Sequence, residues 1–183
     1  LFPLADHISF AVARIRRNEQ ISNPLTDDIR VMFYKEYKVA SCIRELLKER
    51  LQIEIDEHEI GYLALHVHSA IVEENVSQAM EVARAVRESI SLVEHITGHT
   101  IDVMSLSYNR MMNHIRYMVA RAVSGEKLKV NMNDYMSVKF PKAFQAKRIC
   151  EEMEKSLKLP MEEIEIGYLA MHIERIMDRE EGE

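Results

Sequence analysis

An internal repeat constrains the fold of this 183-residue chain more than any other feature of its sequence. The block EIGYLALH, Glu59 through His66, recurs as EIGYLAMH, Glu165 through His172. Earlier in each half, the block from Asp6 to Arg14 matches the block from Asn113 to Arg121. Because the matching blocks follow in the same order and in nearly the same register, we interpret the chain as two copies of one unit.

Each copy is large enough to form a domain of its own. A unit of about 100 residues can bury a hydrophobic core, whereas a solenoid needs at least three stacked repeats. A glycine often ends a helix, and Gly98 lies between the two copies. We therefore predict a first domain at residues 1–98 and a second, homologous domain at residues 99–183.

Composition and periodicity predict an all-α fold with two compact helical bundles in tandem. Gly and Pro are scarce, at 5 and 4 residues, and apolar residues such as Ile8, Ala11 and Ile15 recur with helical spacing. We expect five helices in the first copy and four in the second. In the first copy we expect a helix with its apolar stripe from Ile8 to Ile15 and a short helix from Thr26, with Thr26-Asp27-Asp28 as its cap and acidic first turn. A third helix is marked by Tyr37, Cys42, Leu46 and Leu47 and ends near Arg50. A fourth is capped by Asp56 with Ala70 turned inward, and a fifth runs from Ser77 to Ile96.

Charge and hydropathy argue against several classes of protein. The net charge is −6 with histidine neutral, whereas a nucleic-acid-binding surface is usually basic, so this chain is not expected to contact nucleic acid itself. We find no apolar run long enough to span a membrane and no signal peptide. Cys42 and Cys150 are interpreted as buried apolar residues of a reducing compartment, and we expect a cytoplasmic protein.

Four of the eight histidines occupy equivalent positions in the two copies, His7 with His114 and His66 with His172. Imidazole has an ordinary pKa of about 6.5, so it is mostly neutral and nucleophilic near pH 7. It can therefore accept a phosphoryl group without first losing a proton. Such a group adds a charge of roughly −1.5 to −2, which can drive a switch at an interface.

Other roles are open for these histidines. A packed histidine with one hydrogen-bond partner is the common case, and a duplication also copies a structural residue. Metal binding is a second alternative, because His66 with His68 and His95 with His99 have spacings that ligand pairs use. No HExxH motif or cysteine cluster supports it, so we expect no metal and no cofactor. Walker, G-x-S-x-G and G-x-G-x-x-G motifs are absent too, and we expect no enzyme.

The repeated motifs resemble the phosphotransferase-system regulation domains, or PRDs, that occur in pairs in transcriptional antiterminators of the BglG/SacY type. The similarity covers essentially the whole chain and is closest to the glucose-type antiterminators. The early motif and the late motif of the family both occur twice. The residues that carry the resemblance are Asp6-His7-Ile8 and Asn113-His114-Ile115, the blocks Glu59 through His66 and Glu165 through His172, Asn23-Pro24, and Phe33-Tyr34-Lys35-Glu36-Tyr37.

The resemblance implies a sensor that forms a homodimer and is controlled by phosphorylation. The implied phosphorylation sites are His7, His66, His114 and His172. The implied phosphoryl donors are HPr and the B domain of a sugar-specific enzyme II, and RNA is contacted only through a separate N-terminal domain. Asp6 is a candidate to orient an imidazole, and Arg14 and Arg121 are candidates to pair with a phosphoryl group.

The second copy departs from the family pattern at one position beside a candidate histidine. Asn113 stands where the first copy has Asp6, and an amide cannot supply the charge of a carboxylate. We therefore expect His114 to respond differently from His7. Two other interpretations stay open, the PRD region of a DNA-binding transcriptional activator and a helical phosphorelay protein.

Overall fold

The computed structural model describes residues 2–72 and 75–177, and within these ranges it contains nine α-helices, one short 3-10 turn and no β-strand. The predicted all-α class is confirmed. The helices are α1 (Phe2–Ile15), α2 (Thr26–Met32), α3 (Tyr34–Leu51), α4 (Glu57–Val72), α5 (Val76–Thr97), α6 (Leu106–Ser124), α7 (Asn133–Lys139), α8 (Ala146–Leu157) and α9 (Glu165–Met177), with the 3-10 turn at Ala143–Gln145.

Contacts between Cα atoms divide the chain into two compact units, Leu1–Ala83 and Arg84–Glu183. The division lies within α5, so this helix contributes residues to both units. Gly98 follows the end of α5 with a φ of 76°, a left-handed conformation that glycine adopts without strain. The end of the helix there agrees with the expected fifth helix, while the domain limits of 1–98 and 99–183 stay a prediction.

In the first unit, α4 is the central helix and contacts α1, α2 and α3. Its start is capped as predicted, since the Asp56 carboxylate accepts a hydrogen bond from the backbone N–H of Glu59 at 2.9 Å. Ala70, which was expected to face inward, is exposed. The reason is its place in the last turn of α4, where the neighbouring Ile71 and Val72 are exposed as well.

The second unit repeats this arrangement around α9, which contacts α6, α7, α8 and the 3-10 turn. The four helices expected in the second copy are therefore present. In the described part of the chain no helix is both long and apolar enough to cross a membrane.

A glycine lets the preceding loop approach the central helix closely in each unit. A Cβ atom on Gly61 would lie 2.9 Å from Nδ2 of Asn23, a residue that is almost completely buried. A Cβ atom on Gly167 would lie 2.7 Å from Oδ1 of Asn133 and 3.0 Å from its backbone nitrogen. The Gly of the repeated EIGYLA block is thus required by packing, not by a turn.

Besides Ala70, two predicted details were wrong. The second helix begins at Thr26 as predicted, but Thr26 does not cap it, and its hydroxyl donates to the carbonyl oxygen of Asn23 at 2.7 Å. Cys42 is exposed instead of buried, and Leu46 is exposed as well. These two residues are one turn apart on α3, and the buried residues of that helix, Tyr37 among them, lie on its other side.

Candidate functional site

The first unit brings His7 and His66 together. His7 lies on α1 and His66 on α4, and these two helices pack against each other. The centroids of the two imidazole rings are 4.4 Å apart, and the ring planes are inclined by 33°. Two residues far apart in sequence therefore form one compact pair.

A buried carboxylate and a guanidinium complete this first site. Glu59, in the first turn of α4, is only 3% exposed. Its Oε1 lies 2.7 Å from Nε2 of His7, and its Oε2 accepts a hydrogen bond from Nη2 of Arg14 at 2.5 Å. Arg14 follows His7 by two helical turns, and Glu59 precedes His66 by two turns, so both pairs share a helix face.

The second unit has the same four residue types at the equivalent positions. The rings of His114 on α6 and His172 on α9 are 4.5 Å apart and stacked, with an interplanar angle of 29°. Glu165 is again 3% exposed. Arg121 binds both of its oxygens, through Nε at 2.6 Å and Nη2 at 2.8 Å. This fork-to-fork geometry is the strongest form of an arginine–carboxylate pair.

The two sites differ in how the glutamate is used. In the first site, the carboxylate of Glu59 is shared between His7 and Arg14. In the second site, Arg121 donates hydrogen bonds to both carboxylate oxygens of Glu165. Nε2 of His114 is buried and has no hydrogen-bond partner among the described residues. A duplicated sequence therefore produces two sites with different hydrogen bonding.

Burial keeps three of the four rings neutral near pH 7. Desolvation, together with the nearby His7, lowers the pKa of His66 from its ordinary 6.5 to about 4. Desolvation, together with His172 and Arg121, lowers the pKa of His114 to about 3. Desolvation and two nearby arginines also lower the pKa of His172. Neutral imidazoles retain a lone pair, which a phosphoryl acceptor requires.

The carboxylate of Glu59 is ionised in spite of its burial. Desolvation alone raises the pKa of a carboxyl group. The hydrogen bonds from His7 and Arg14 and the charge of Arg14 outweigh that effect and hold the pKa of Glu59 below its ordinary 4.5. The site therefore contains a fixed anion that contacts His7 and lies beside the neutral ring of His66.

The predicted supporting residues occupy two different environments. Arg14 and Arg121 lie at the histidine pairs, where each binds the buried glutamate of its own unit. Asp6 and Asn113 are exposed on α1 and α6. The carboxylate that contacts the imidazole of His7 belongs to Glu59 and not to the adjacent Asp6.

Sequence reasoning did not single out Glu59 and Glu165 as site residues. A glutamate in the first turn of a helix has a common explanation, since it complements the helix dipole. The available signal was that both glutamates open the repeated block and lie two helical turns before its histidine. That spacing places each one on the same helix face as the histidine of its block.

The remaining histidines have other surroundings. His58 contacts the loop before α2, with Nδ1 3.0 Å from the carbonyl oxygen of Asn23. His68 is buried, with Nδ1 3.1 Å from Oε1 of Glu36 and its ring against Phe33. His66 and His68 thus face different helices. No group of three or more histidine, cysteine or acidic residues suited to a metal ion occurs in the described residues.

The repeated sites and the tandem helical units define a class of protein, and the chain belongs to the PRD domain family. The sequence profile of that family matches residues 1–70 and 87–176. The chain is 30% identical over 178 residues to Protein GlcT of Staphylococcus saprophyticus, covering 96% of this chain and 63% of that protein. It is also 30% identical over 181 residues to the GlcA/glcB genes antiterminator of Staphylococcus carnosus, covering 97% of this chain and 63% of that protein. The chain thus spans less than two thirds of the length of these relatives.

Proposed function

We propose that this chain is the regulatory region of a sugar-responsive transcriptional antiterminator, controlled by phosphorylation of its paired histidines. The observation that carries the proposal is a pair of histidine rings in contact, with a buried glutamate and an arginine, present once in each unit. A purely structural histidine needs only one satisfied partner. Two rings in contact, in both units, are better explained as an input site. The similarity to an antiterminator favours that parent over a DNA-binding activator.

The chemistry of the site suits phosphoryl transfer from a protein donor. The donors we assign are HPr and the B domain of a sugar-specific enzyme II, both reached in the cytoplasm. Addition of a phosphoryl group brings roughly −1.5 to −2 charges next to the buried carboxylate of Glu59 or Glu165. Like charges in partly buried surroundings repel strongly, so the site must rearrange or expose the new group. Arg14 and Arg121 are the nearby cations that can compensate the charge.

The output we propose is a change in homodimer association. An exposed aromatic residue follows the first histidine of each pair by about one helical turn, Phe10 in α1 and Tyr117 in α6. Their relative exposures are 68% and 65%. Large apolar side chains that remain exposed beside a charge-sensitive site fit an interface that phosphorylation strengthens or weakens. The chain acts on this view as a non-enzymatic sensor, and RNA is contacted by a separate N-terminal domain.

Phosphorylation can be tested with purified components. The chain is incubated with enzyme I, HPr and labelled phosphoenolpyruvate, and the acid-labile label is quantified. We expect label on the wild-type chain and none on a variant in which His7, His66, His114 and His172 are all replaced by Gln. His95→Gln, at an exposed position on α5, is the matched control and should be labelled normally. Absence of label, or label that survives in the fourfold variant, contradicts the proposal.

A further inference from the structure

A carboxylate fixes the proton of one imidazole in the first unit. Nε2 of His7 lies 2.7 Å from Oε1 of Glu59. An ionised carboxylate only accepts hydrogen bonds, so Nε2 must carry the hydrogen. A neutral imidazole has one N–H group, and the lone pair of the His7 ring is therefore on Nδ1.

The carboxylate that does this is itself held in place. Glu59 has a 4% exposed side chain, and its second oxygen is bound by Nη2 of Arg14 at 2.5 Å. The same contacts keep its pKa below the ordinary value, so it is an acceptor throughout the neutral pH range. A carboxylate bound at both oxygens orients its imidazole in the way that an aspartate orients the histidine of a catalytic triad.

The second unit lacks this contact although it has the same residue types. Both oxygens of Glu165 are engaged by Arg121, at 2.6 and 2.8 Å. Nε2 of His114 is buried and has no hydrogen-bond partner among the described residues. Glu165 therefore does not select the protonated nitrogen of His114.

We infer that Glu59 is a positioning residue that makes Nδ1 of His7 the phosphoryl-accepting atom, and that Glu165 does not act on His114 in this way. The inference rests on the proposed function, because it specifies how one of the histidines would accept the phosphoryl group. It also predicts that the two copies of the site accept a phosphoryl group at different rates.

The transfer is a balanced exchange of one bond for another. The lone pair of Nδ1 of His7 forms the new N–P bond, while the bond between phosphorus and the leaving atom of the phosphorylated donor protein breaks. The electron pair of that bond stays with the leaving atom. The hydrogen stays on Nε2, so the ring of the product is cationic and Glu59 is its counter-ion at 2.7 Å. Stabilisation of that cation lowers the barrier to transfer.

The first test reads the tautomer directly and needs no donor. Long-range ¹H–¹⁵N correlation spectra of the unphosphorylated chain at pH 7.5 distinguish a protonated ring nitrogen from one with a lone pair. We expect hydrogen on Nε2 of His7, assigned with His7→Gln, and a loss of this preference in Glu59→Ala. Glu165→Ala is the matched control and should leave the His7 signals unchanged. Hydrogen on Nδ1 in the wild type, or an unchanged spectrum in Glu59→Ala, overturns the inference.

The second test identifies the phosphorylated nitrogen and measures the rate of phosphoryl transfer to His7. With phosphorylated HPr as the donor, ³¹P–¹⁵N coupling should place the group on Nδ1 of His7. Glu59→Gln, which retains an acceptor oxygen but not the charge, should slow labelling of His7 about tenfold to a hundredfold. The conservative Glu59→Asp should recover part of that loss. Glu165→Gln should leave the rate at His7 within about twofold.

The two proposals fail in different ways. If no histidine accepts the phosphoryl group, the proposed function is wrong and this inference falls with it. If His7 is labelled on Nε2, or at the wild-type rate in Glu59→Gln, or if only His66 of the pair is labelled, the inference is wrong while the proposed function stands.

Discussion

Each histidine pair contains a buried ring that is uncharged near pH 7, because little water is available there to solvate a cation. For His66 and His114 the main cause of the lowered pKa is desolvation, and a neighbouring imidazole adds to it. Protonation of either ring is therefore coupled to loss of the packed arrangement. A proton adds charge at this buried contact, and on the proposed function a phosphoryl group would do the same.

This coupling predicts a loss of stability on mild acidification. The unfolded chain binds a proton at His114 below pH 6.5, whereas the folded chain does so only near pH 3. The stabilisation is thus fully present above pH 6.5 and is lost as the pH falls below it. His114→Gln should reduce the decrease in the free energy of unfolding between pH 7 and pH 5 by up to about 2 kcal/mol.

Urea unfolding followed by circular dichroism at both pH values measures this difference. His95→Gln, with an exposed side chain, serves as the control and should retain the wild-type decrease. His66→Gln tests the same effect in the other unit. An equal decrease in wild type and in both buried-site variants would show that the rings are solvated in the folded chain.

At the scale of the helical elements, α4 and α9 carry most of what defines a unit. Each has the buried glutamate in its first turn, presents the glycine to the preceding loop, and carries the histidine two turns after the glutamate. The repeated EIGYLA block therefore has two roles. Its glycine packs against the preceding loop, and its glutamate contacts residues at the histidine pair.

Replacing the glycine of this block with alanine should destabilise the two units by different amounts. In Gly61→Ala the new methyl group meets the end of the Asn23 side chain at 2.9 Å, which can shift. In Gly167→Ala it meets backbone atoms of Met132 and Asn133 at 3.0 Å, which cannot shift without moving α7. Overpacking of this kind costs about 1–3 kcal/mol, and the better helix propensity of alanine returns up to about 1 kcal/mol.

We therefore expect Gly167→Ala to destabilise its unit by about 2 kcal/mol and Gly61→Ala by less than about 1 kcal/mol. The free energies of unfolding from denaturant titrations of the two single variants provide the comparison. Because each variant is the matched control for the other, an equal cost, or a larger cost for Gly61→Ala, contradicts the packing explanation.

The sequence predicted these elements well and their faces less well. Helical periodicity, the Asp56 cap and the repeat were sufficient to place the helices, since these signals are local. Cys42 was misplaced because an apolar side chain does not reveal which face of its helix a neighbour covers. The pairing of Glu59 with His7 was not predicted, because it depends on how α1 crosses α4 and not on spacing within either helix.

At the scale of the whole molecule, the two units have the same residue types at their histidine pairs but different hydrogen bonds. The Asp6 to Asn113 difference led us to expect unequal histidines. The structure adds a difference in the glutamate, which is shared in one unit and fully bound by Arg121 in the other. On the proposed function, this difference in hydrogen bonding would let the two units respond to different inputs.

The measurement that tests the central claim most directly is the self-association of the chain before and after phosphorylation. Sedimentation velocity over a range of concentrations gives the dimerisation constant of chain phosphorylated by enzyme I, HPr and phosphoenolpyruvate. We predict at least a tenfold change relative to the untreated chain, equivalent to about 1.4 kcal/mol, and no change in the variant that lacks His7, His66, His114 and His172. An unchanged constant in a chain shown to carry the phosphoryl group would contradict a phosphorylation-controlled dimer.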